Sequence, residues 1–523
     1  MIGASHFWRG DMATGKGHIA RAAGMVMVAF VVSRALGLGR EMIISRYFGT
    51  SADYDAYLAA FRLPDILFQL VAGGALGSAF IPMFTGYLAR GDEEEAWRLA
   101  SAVINLILLI LTSLAVVAAL LAPQVVALIA PGFSPDQQTL AAELMRLMLV
   151  STVLFGVSGI VMGILNSHQH FLLPALAPSM YNLSIIGGAV FLSPRLGVRG
   201  LAIGVVAGAG LHLAIQVPGL LRVGVRYFPV LGLRHPGVHE VGLLMLPRTL
   251  GLAIVQLNFL VNTILASRLP AGSLSALNYA FLLMLLPQGV FAQAVATVVF
   301  PTFAAQAARD EVVEMRGTLS ATLRAVLYLT VPASVGLYVL RGPVIQLLFQ
   351  RGAFQASSTA AVAWALQFYV LGLVAHSAVE IVTRAFYAMH DTRTPVLVGG
   401  AAMGLNVLLS LILIHPLTHG GLALANSIAT TLEMIGLLAI IRGRLHGLEG
   451  RRIAASLARV GAAAAAMGLT VWGFVRLTGD HDTSLQGIGG IVLGAGVYLA
   501  LTVILRSEEV GTLAKIRRPS PGS

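Results

Sequence analysis

The stretch IPMFTGYLARGDEEEAWR, residues 81–98, returns in altered form as FPTFAAQAARDEVVEMR, residues 300–316. Each closes an apolar run with a proline and an aromatic side chain, then passes through Ala-Arg into an acidic loop. Pro82 pairs with Pro301 and Arg90 with Arg309, both at an offset of 219. Further on, APQVVALIAPGF (122–133) is echoed by GPVIQLLFQRGAF (342–354), with Gly132 and Gly352 offset by 220. Pro174 matches Pro395, and Gly200-Leu-Ala matches Gly421-Leu-Ala, at an offset of 221. A near-constant offset held over more than a hundred residues is the mark of an internal duplication.

What is duplicated is membrane-spanning. Of 523 residues, 57% are hydrophobic and 11% charged, and the mean hydropathy is +0.84. A water-soluble globule of that composition would have nowhere to hide its apolar surface. Runs of about 20 apolar residues, each able to cross a hydrocarbon core of about 30 Å as a helix, recur along the chain. They predict fourteen spans, over 20–47, 54–88, 96–122, 139–166, 171–193, 198–223, 238–267, 273–307, 316–340, 357–389, 394–415, 419–441, 453–477 and 484–505. Six spans separate equivalent positions, so the two copies share one membrane orientation. The expected fold is all-α and polytopic, with two parallel-repeat six-helix lobes around a central cavity and two extra C-terminal helices. The expected divisions are a tail over 1–19, an N-lobe over 20–228, a C-lobe over 229–446, spans thirteen and fourteen over 447–508 and a second tail over 509–523.

A net charge of +11 does not point to nucleic acid here, because the cations lie beside spans, where they report orientation. Twelve arginines follow even-numbered spans and five follow odd-numbered ones, which predicts cytoplasmic even loops and cytoplasmic termini. No cleavable leader is evident, and span one reads as an uncleaved anchor. The chain has no cysteine, so thiolate chemistry, disulfides and Cys-based metal sites are excluded. GDMATGKG (10–17) fits G-x-x-x-x-G-K, but Gly17 stands where a phosphate-binding loop needs Ser or Thr, and no strand precedes it. Energy is therefore expected from the membrane potential, a monovalent ion or the substrate gradient, with no cofactor.

The candidate binding residues are the charges buried in spans. VVSRALGLGREMIISRYFG (31–49) carries Arg34, Arg40, Glu41 and Arg46. Arg46 reads as an interfacial anchor. Arg34 is about fourteen residues into its span, too deep for easy snorkelling, so Arg34 and Arg40 are expected to face a water-filled cavity. Guanidinium suits phosphate or pyrophosphate there because it binds them bidentately. Arg34 and Glu41 are two helical turns apart and share a face.

In SADYDAYLAAFRLPD (51–65), Asp53 and Asp55 suit either the start of their own helix or a gating role, and Arg62 lies two turns in. Pro64 and Gly73-Gly74 predict a bent or loosely packed helix. His376, Glu380 and Arg384 form a polar stripe at i, i+4 and i+8, with Glu380 and Arg384 placed to pair. Asn258, Asn262, Asn406 and Asn426 suit cation coordination or hydrogen bonding between helices. No metal motif and no Ser/His arrangement is placed for catalysis, so the chain is not expected to be an enzyme.

SRALGLGREMIISRYFG, DAYLAAFRLPD, GALGSAFIPMF, APGF, GILNSHQHFLLPALAPSMYN, LFQRGAF and RAFYAMHDTRTPV occur in that order. Together they resemble the MurJ (MviN) lipid II flippases of the multidrug/oligosaccharidyl-lipid/polysaccharide exporter superfamily. The resemblance implies a bacterial inner-membrane flippase that carries the polyprenyl-pyrophosphate-linked peptidoglycan precursor outward by alternating access, with spans thirteen and fourteen forming a groove for the lipid tail. It implies pyrophosphate contacts at Arg34 and Arg40, a basic residue at Arg62, supporting acids at Glu41 and Asp55, and envelope-synthesis enzymes as candidate partners.

Departures stand beside the likeness. Phe68 and Leu282 occupy positions where the family carries cavity arginines, Gln69 and Gly73 replace a further arginine and a glutamate, and Ser410 replaces the aspartate of a sodium-site pattern that begins at Asn406. Two missing charge-assisted contacts remove about 1.5–3 kcal/mol each. Arg62, Arg248 or Arg384 would have to compensate, or the cargo is another polyprenyl-linked glycan. A membrane scaffold that kept the fold without transporting is the remaining alternative.

Overall fold

The computed structural model describes residues 15–71, 75–479 and 483–509. It contains helices throughout. Eleven helices among the described residues are long and apolar enough to cross a membrane, which makes the chain a multi-pass membrane protein. By chain connectivity and contacts it divides into two units. The first comprises residues 1–47, 56–129 and 133–256, the second 48–55, 130–132 and 257–523.

In the first unit lie most of α1 (Gly15–Phe48) and α2 (Ala52–Val71), together with α3 (Ala75–Ala89), α4 (Glu93–Leu120), α5 (Pro135–Ser167), α6 (Leu172–Gly187), α7 (Arg199–Ala214) and the start of α8 (Pro236–Ser267). The second unit holds α9 (Ser273–Pro287), α10 (Ala294–Ala308), α11 (Val312–Val339), α12 (Ala356–Ala388), α13 (Arg393–Leu417), α14 (His419–Arg444), α15 (Gly450–Thr478) and α16 (Gly490–Ile504). Most expected span ends fall within a few residues of these bounds; the runs ending at 193 and 223 continue past α6 and α7 through the short helices Ser193–Leu196 and Val217–Arg222, the run 273–307 contains both α9 and α10, and the run from 484 begins in the turn Leu485–Gly489 before α16. The apolar run read as one span over 54–88 contains α2 and α3, and Gly73 and Gly74 lie outside the described residues.

Helix starts recur at the spacing of the sequence echoes. Thus α3, α4, α5 and α6 begin at residues 75, 93, 135 and 172, and α10, α11, α12 and α13 at 294, 312, 356 and 393. Within the first unit α5 packs on α3, α4 and α7; within the second, α12 packs on α10, α11 and α14. The cores match as well. Phe80, Phe84, Trp97 and Ile164 are buried together in the first unit, as are Phe303, Leu319, Ile381 and Phe386 in the second. The last two helices belong to the second unit, with α15 lying along α11 and α16.

Close helix crossings depend on small residues, as expected where packing and not water exclusion holds helices together. A Cβ at Gly188 would come within 2.6 Å of the Gly200 carbonyl oxygen, and one at Gly372 within 2.7 Å of Ser427 Oγ. Spans interrupted by a wide π turn (Gly188–Leu192, Gln288–Gln293) change their side-chain register there, which re-aims the following face. Apolar side chains such as Leu120, Val298 and Leu397 are exposed, the arrangement of a surface that meets lipid.

Candidate functional site: a charged cavity inside the first unit

The first unit encloses a cavity of about 560 Å³ reached by Arg40 of α1, Asp65 and Phe68 of α2, Phe155 of α5, Tyr181 of α6 and His212 of α7. Arg40 is fixed by two partners. Its Nη2 and Nε donate to Glu41 Oε1 at 2.5 and 3.1 Å, and its Nη1 donates to Asn182 Oδ1 at 3.1 Å. Asn182 Nδ2 in turn donates to the Ser33 carbonyl at 3.3 Å, so α6 holds α1 at the arginine and two turns before it. These bonds occupy three of the five guanidinium N–H groups. Glu41 is buried, and beside Arg40 it neutralises the cation that the cavity presents.

Asp65 reaches the same cavity one turn beyond Arg62, and both of its carboxylate oxygens accept from Gln69 Nε2 at 3.1 Å. Thr152 donates to the Pro64 carbonyl at 3.2 Å and ties α5 to the proline turn of α2. Opposite, Ser158 Oγ lies 2.7 Å from His212 Nδ1 and accepts from Gln216 Nε2 at 2.7 Å. Phe68, Phe155, Tyr181 and His212 form a continuous aromatic wall. Phe155 is 5.1 Å from Phe68, 5.0 Å from Tyr181 and 5.3 Å from His212, ring centre to ring centre. Where an arginine was expected from the resemblance, Phe68 extends apolar surface.

The structure separates residues that sequence spacing had grouped. Arg40 lines the cavity; Arg34 instead is exposed and carries its guanidinium 5.2 Å above the Phe30 ring. Glu41 pairs with Arg40, its neighbour in sequence. Asn182, Asp65 and His212 were not singled out from sequence. The signal for Asn182 was present only as a polar residue in the run ALAPSMYN, which the resemblance had already quoted.

Asp55 belongs to the second unit and has a different role from the one its position at the start of α2 implied. Its carboxylate accepts the backbone N–H of Gly272 at 2.6 Å and of Ser275 at 2.7 Å, so it caps the N-terminus of α9. Gly272 has φ of +91°, a backbone that favours glycine, and it turns these N–H groups toward the acid.

Also in the second unit, Glu380 and Arg384 form the expected pair at 2.9 Å. Asn406 and Asn426 have different partners: Asn406 Nδ2 donates to Asn258 Oδ1 at 2.7 Å, whereas Asn426 Oδ1 lies 3.0 Å from His376 Nε2. Each has its own interhelical bond because i+20 places them on different helices, α13 and α14. Buried oxygens without a hydrogen-bond partner cluster on α8 and α13, at Asn262 Oδ1, Asn406 Oδ1 and Ser410 Oγ. They are neutral donors, and among the described residues no group of three His, Cys, Asp or Glu side chains is placed to hold a metal. The Arg248 side chain lies outside the described residues.

Helices of this length, with a lined cavity inside the first unit, define a polytopic membrane protein with the fold of multidrug and lipid-linked-glycan exporters. An inward-facing multidrug-resistance transporter of the MATE family superposes with a TM-score of 0.68 at 15% identity, covering 81% of this chain and 99% of that one, a likeness of fold alone. A structure described as lipid II flippase MurJ, inward closed conformation, superposes with a TM-score of 0.81 at 27% identity over 93% of this chain and 99% of that one. The family model described as lipid II flippase MurJ matches residues 44–485.

The chain belongs to the MurJ family. It is 32% identical over 490 residues to the lipid II flippase MurJ of Burkholderia cenocepacia, covering 91% of this chain and 95% of that one. It is 30% identical over 509 residues to the probable lipid II flippase MurJ of Haemophilus influenzae, covering 93% and 99%. The family match begins at residue 44, so Arg34, Arg40 and Glu41 precede it.

Proposed function

We propose that the chain moves lipid II, the undecaprenyl-pyrophosphate-linked peptidoglycan precursor, from the inner to the outer leaflet of the bacterial inner membrane without covalent chemistry. Family membership supports the cargo, and the observation that carries the site is Arg40, held at the cavity wall between Glu41 and Asn182. In this reading Glu41 stands in for the cargo's pyrophosphate. It keeps the guanidinium oriented, and an arriving diphosphate, with more charge and more acceptor oxygens, takes over the remaining N–H groups. Arg34 and Arg62 add positive potential, while Asp55, Glu380 and Arg384 hold helix ends and faces in place.

The matching helix starts and packing partners support repeat lobes over 20–228 and 229–446, in a fourteen-span chain whose last pair, over 447–508, holds the lipid tail; the excess of arginine in even loops supports cytoplasmic termini. Parallel repeats of that kind alternate access by rocking. Coupling is to the membrane potential, because the oxygens at Asn406 and Ser410 offer a cation no carboxylate. A second reading, transport of another polyprenyl-linked glycan, is favoured by the aromatic wall at Phe68 and by Leu282, which leave fewer cations for a diphosphate.

Complementation of a bacterium depleted of its own lipid II flippase tests the proposal. Rescue by the chain and loss of rescue with Arg40→Ala, at equal membrane expression, is the expected result. Absence of rescue at good expression would point to the other cargo or to a scaffold.

A further inference from the structure

At the end of α15 that follows residue 449, the charges run against the helix dipole. Arg451 and Arg452 occupy the first turn, which contains no acid, and Arg459 lies two turns on. The N-terminal end of a helix is its positive end and normally gathers Asp or Glu. Here three guanidiniums are added to it, and Arg324 of α11 joins them around a pocket of about 340 Å³, large enough for a small polar headgroup.

The acids nearby are already engaged. Glu508 and Glu509 both accept from Arg324 Nη1, at 2.6 and 3.4 Å, Glu509 also accepts from Ser456 Oγ at 2.8 Å, and Glu449 takes Arg452 at 3.2 Å. Among the described residues no acid lies within ion-pair distance of Arg451 or Arg459, though Glu508 also feels the charge of Arg459 and Arg452, and Arg324 Nε is buried without a hydrogen-bond partner. The pocket therefore holds more cation than its own acids neutralise, and it does so at the dipole end that prefers an anion.

What surrounds it selects the source of that anion. Leu457 on α15 follows Ser456 in sequence, and Val503, Ile504 and Leu505 lie within five residues of Glu508 at the end of α16; all four are exposed apolar side chains, so the elements that build the basic pocket also carry surface suited to acyl chains. The excess of arginine in even loops places this end of α15 at the cytoplasmic leaflet, where anionic lipids lie and where basic pockets between spans hold headgroups.

We infer that the pocket formed by Arg324, Arg451, Arg452, Arg459 and Ser456 binds the phosphate of an anionic membrane phospholipid, at a place made from other residues than the Arg40 cavity. Arg451 and Arg459 take the phosphate oxygens. Glu508 and Glu509 keep Arg324 in place and limit how many anions enter.

The test uses the full chain in neutral detergent, titrated with phosphatidylglycerol, with phosphatidylcholine of the same acyl chains, or with soluble glycerol 3-phosphate, and bound lipid is counted by native mass spectrometry. Arg451→Gln together with Arg459→Gln is compared with Arg222→Gln, another exposed arginine, and with wild type, after checking that all elute alike in gel filtration. Phosphatidylglycerol is expected to bind wild type and Arg222→Gln, to bind the double variant at least about tenfold more weakly, and to outcompete phosphatidylcholine. Undiminished phosphatidylglycerol binding by the double variant overturns the site. Equal binding of glycerol 3-phosphate and phosphatidylglycerol overturns the lipid as its source.

Discussion

The carboxylate of Asp55 accepts the backbone N–H of Ser275 at 2.7 Å, joining residues 220 apart in sequence. A second bond from Gly272 N–H completes the cap, and the acid is buried. Asp55→Ala leaves two buried N–H groups of the α9 terminus unpaired and is expected to lower stability by about 1–3 kcal/mol. Asp55→Asn, which keeps one acceptor oxygen, should recover part of that loss. Thermal unfolding of both variants in detergent measures the difference, and an unchanged midpoint for Asp55→Ala would contradict the cap.

Arg40 serves Glu41 and Asn182 at once through a planar fork, a geometry that a lysine ammonium cannot reproduce. Arg40→Lys is therefore expected to behave more like Arg40→Ala than like wild type, with rescue of flippase-depleted cells at least about tenfold weaker in a dilution assay. Lysine that rescues fully would mean that charge alone, without the fork, is what the site uses.

These two cases mark what was and was not legible in the sequence. Span positions were, because about 20 apolar residues must be contiguous whatever else the chain does: 357–389 was expected and Ala356–Ala388 is found. The shift at the start of α5, 139 expected against Pro135, comes from the capping box that Ser134 makes with Gln137, which carries α5 four residues past its apolar run. Partners were not legible. Helical spacing sees only neighbours on the same helix, and so it left Asp55 open between its own helix start and a gating role and gave no sign of the α9 terminus. Asn182 and His212 gained their roles from helices packed more than fifty residues away in sequence, and in a sequence of this composition a lone Asn or His carries no mark of which way it faces.

Outside the membrane, Asp391 precedes α13 and accepts the Thr394 N–H at 3.0 Å and the Thr394 hydroxyl at 2.7 Å, with Arg444 at 3.0 Å. The Thr394 backbone bond, then its hydroxyl, hold the Asp391 carboxyl below the usual carboxylate range. A depressed folded pKa means that the cap's contribution is complete above the ordinary carboxylate value of about 4 and is lost as pH falls through the lower folded value. Hydrogen exchange at the Thr394 amide should lose protection over that acid window in wild type. In Asp391→Asn the protection should be lower and flat with pH across it.

The oxygens of Asn262, Asn406 and Ser410 are neutral, and three such oxygens without a carboxylate offer a monovalent cation no charge to offset the loss of its water. Replacing external Na⁺ by K⁺ or choline is expected to leave rescue of depleted cells unchanged. Ser410→Asp, which adds a carboxylate to the cluster, should make transport respond to Na⁺. Strong Na⁺ dependence of the unaltered chain would show that these oxygens, or others, already form a working site.

The central claim is that Arg40 at the cavity wall handles the diphosphate of a lipid carried across the bilayer. The most direct measurement counts lipid II in the outer leaflet, by its cleavage with an externally added, membrane-impermeant enzyme, in flippase-depleted cells that express the chain or its Arg40→Ala variant. The account predicts that the chain restores outer-leaflet lipid II and that Arg40→Ala, present in the membrane at the same level, does not. Equal outer-leaflet lipid II with both proteins, or none with either, would contradict it.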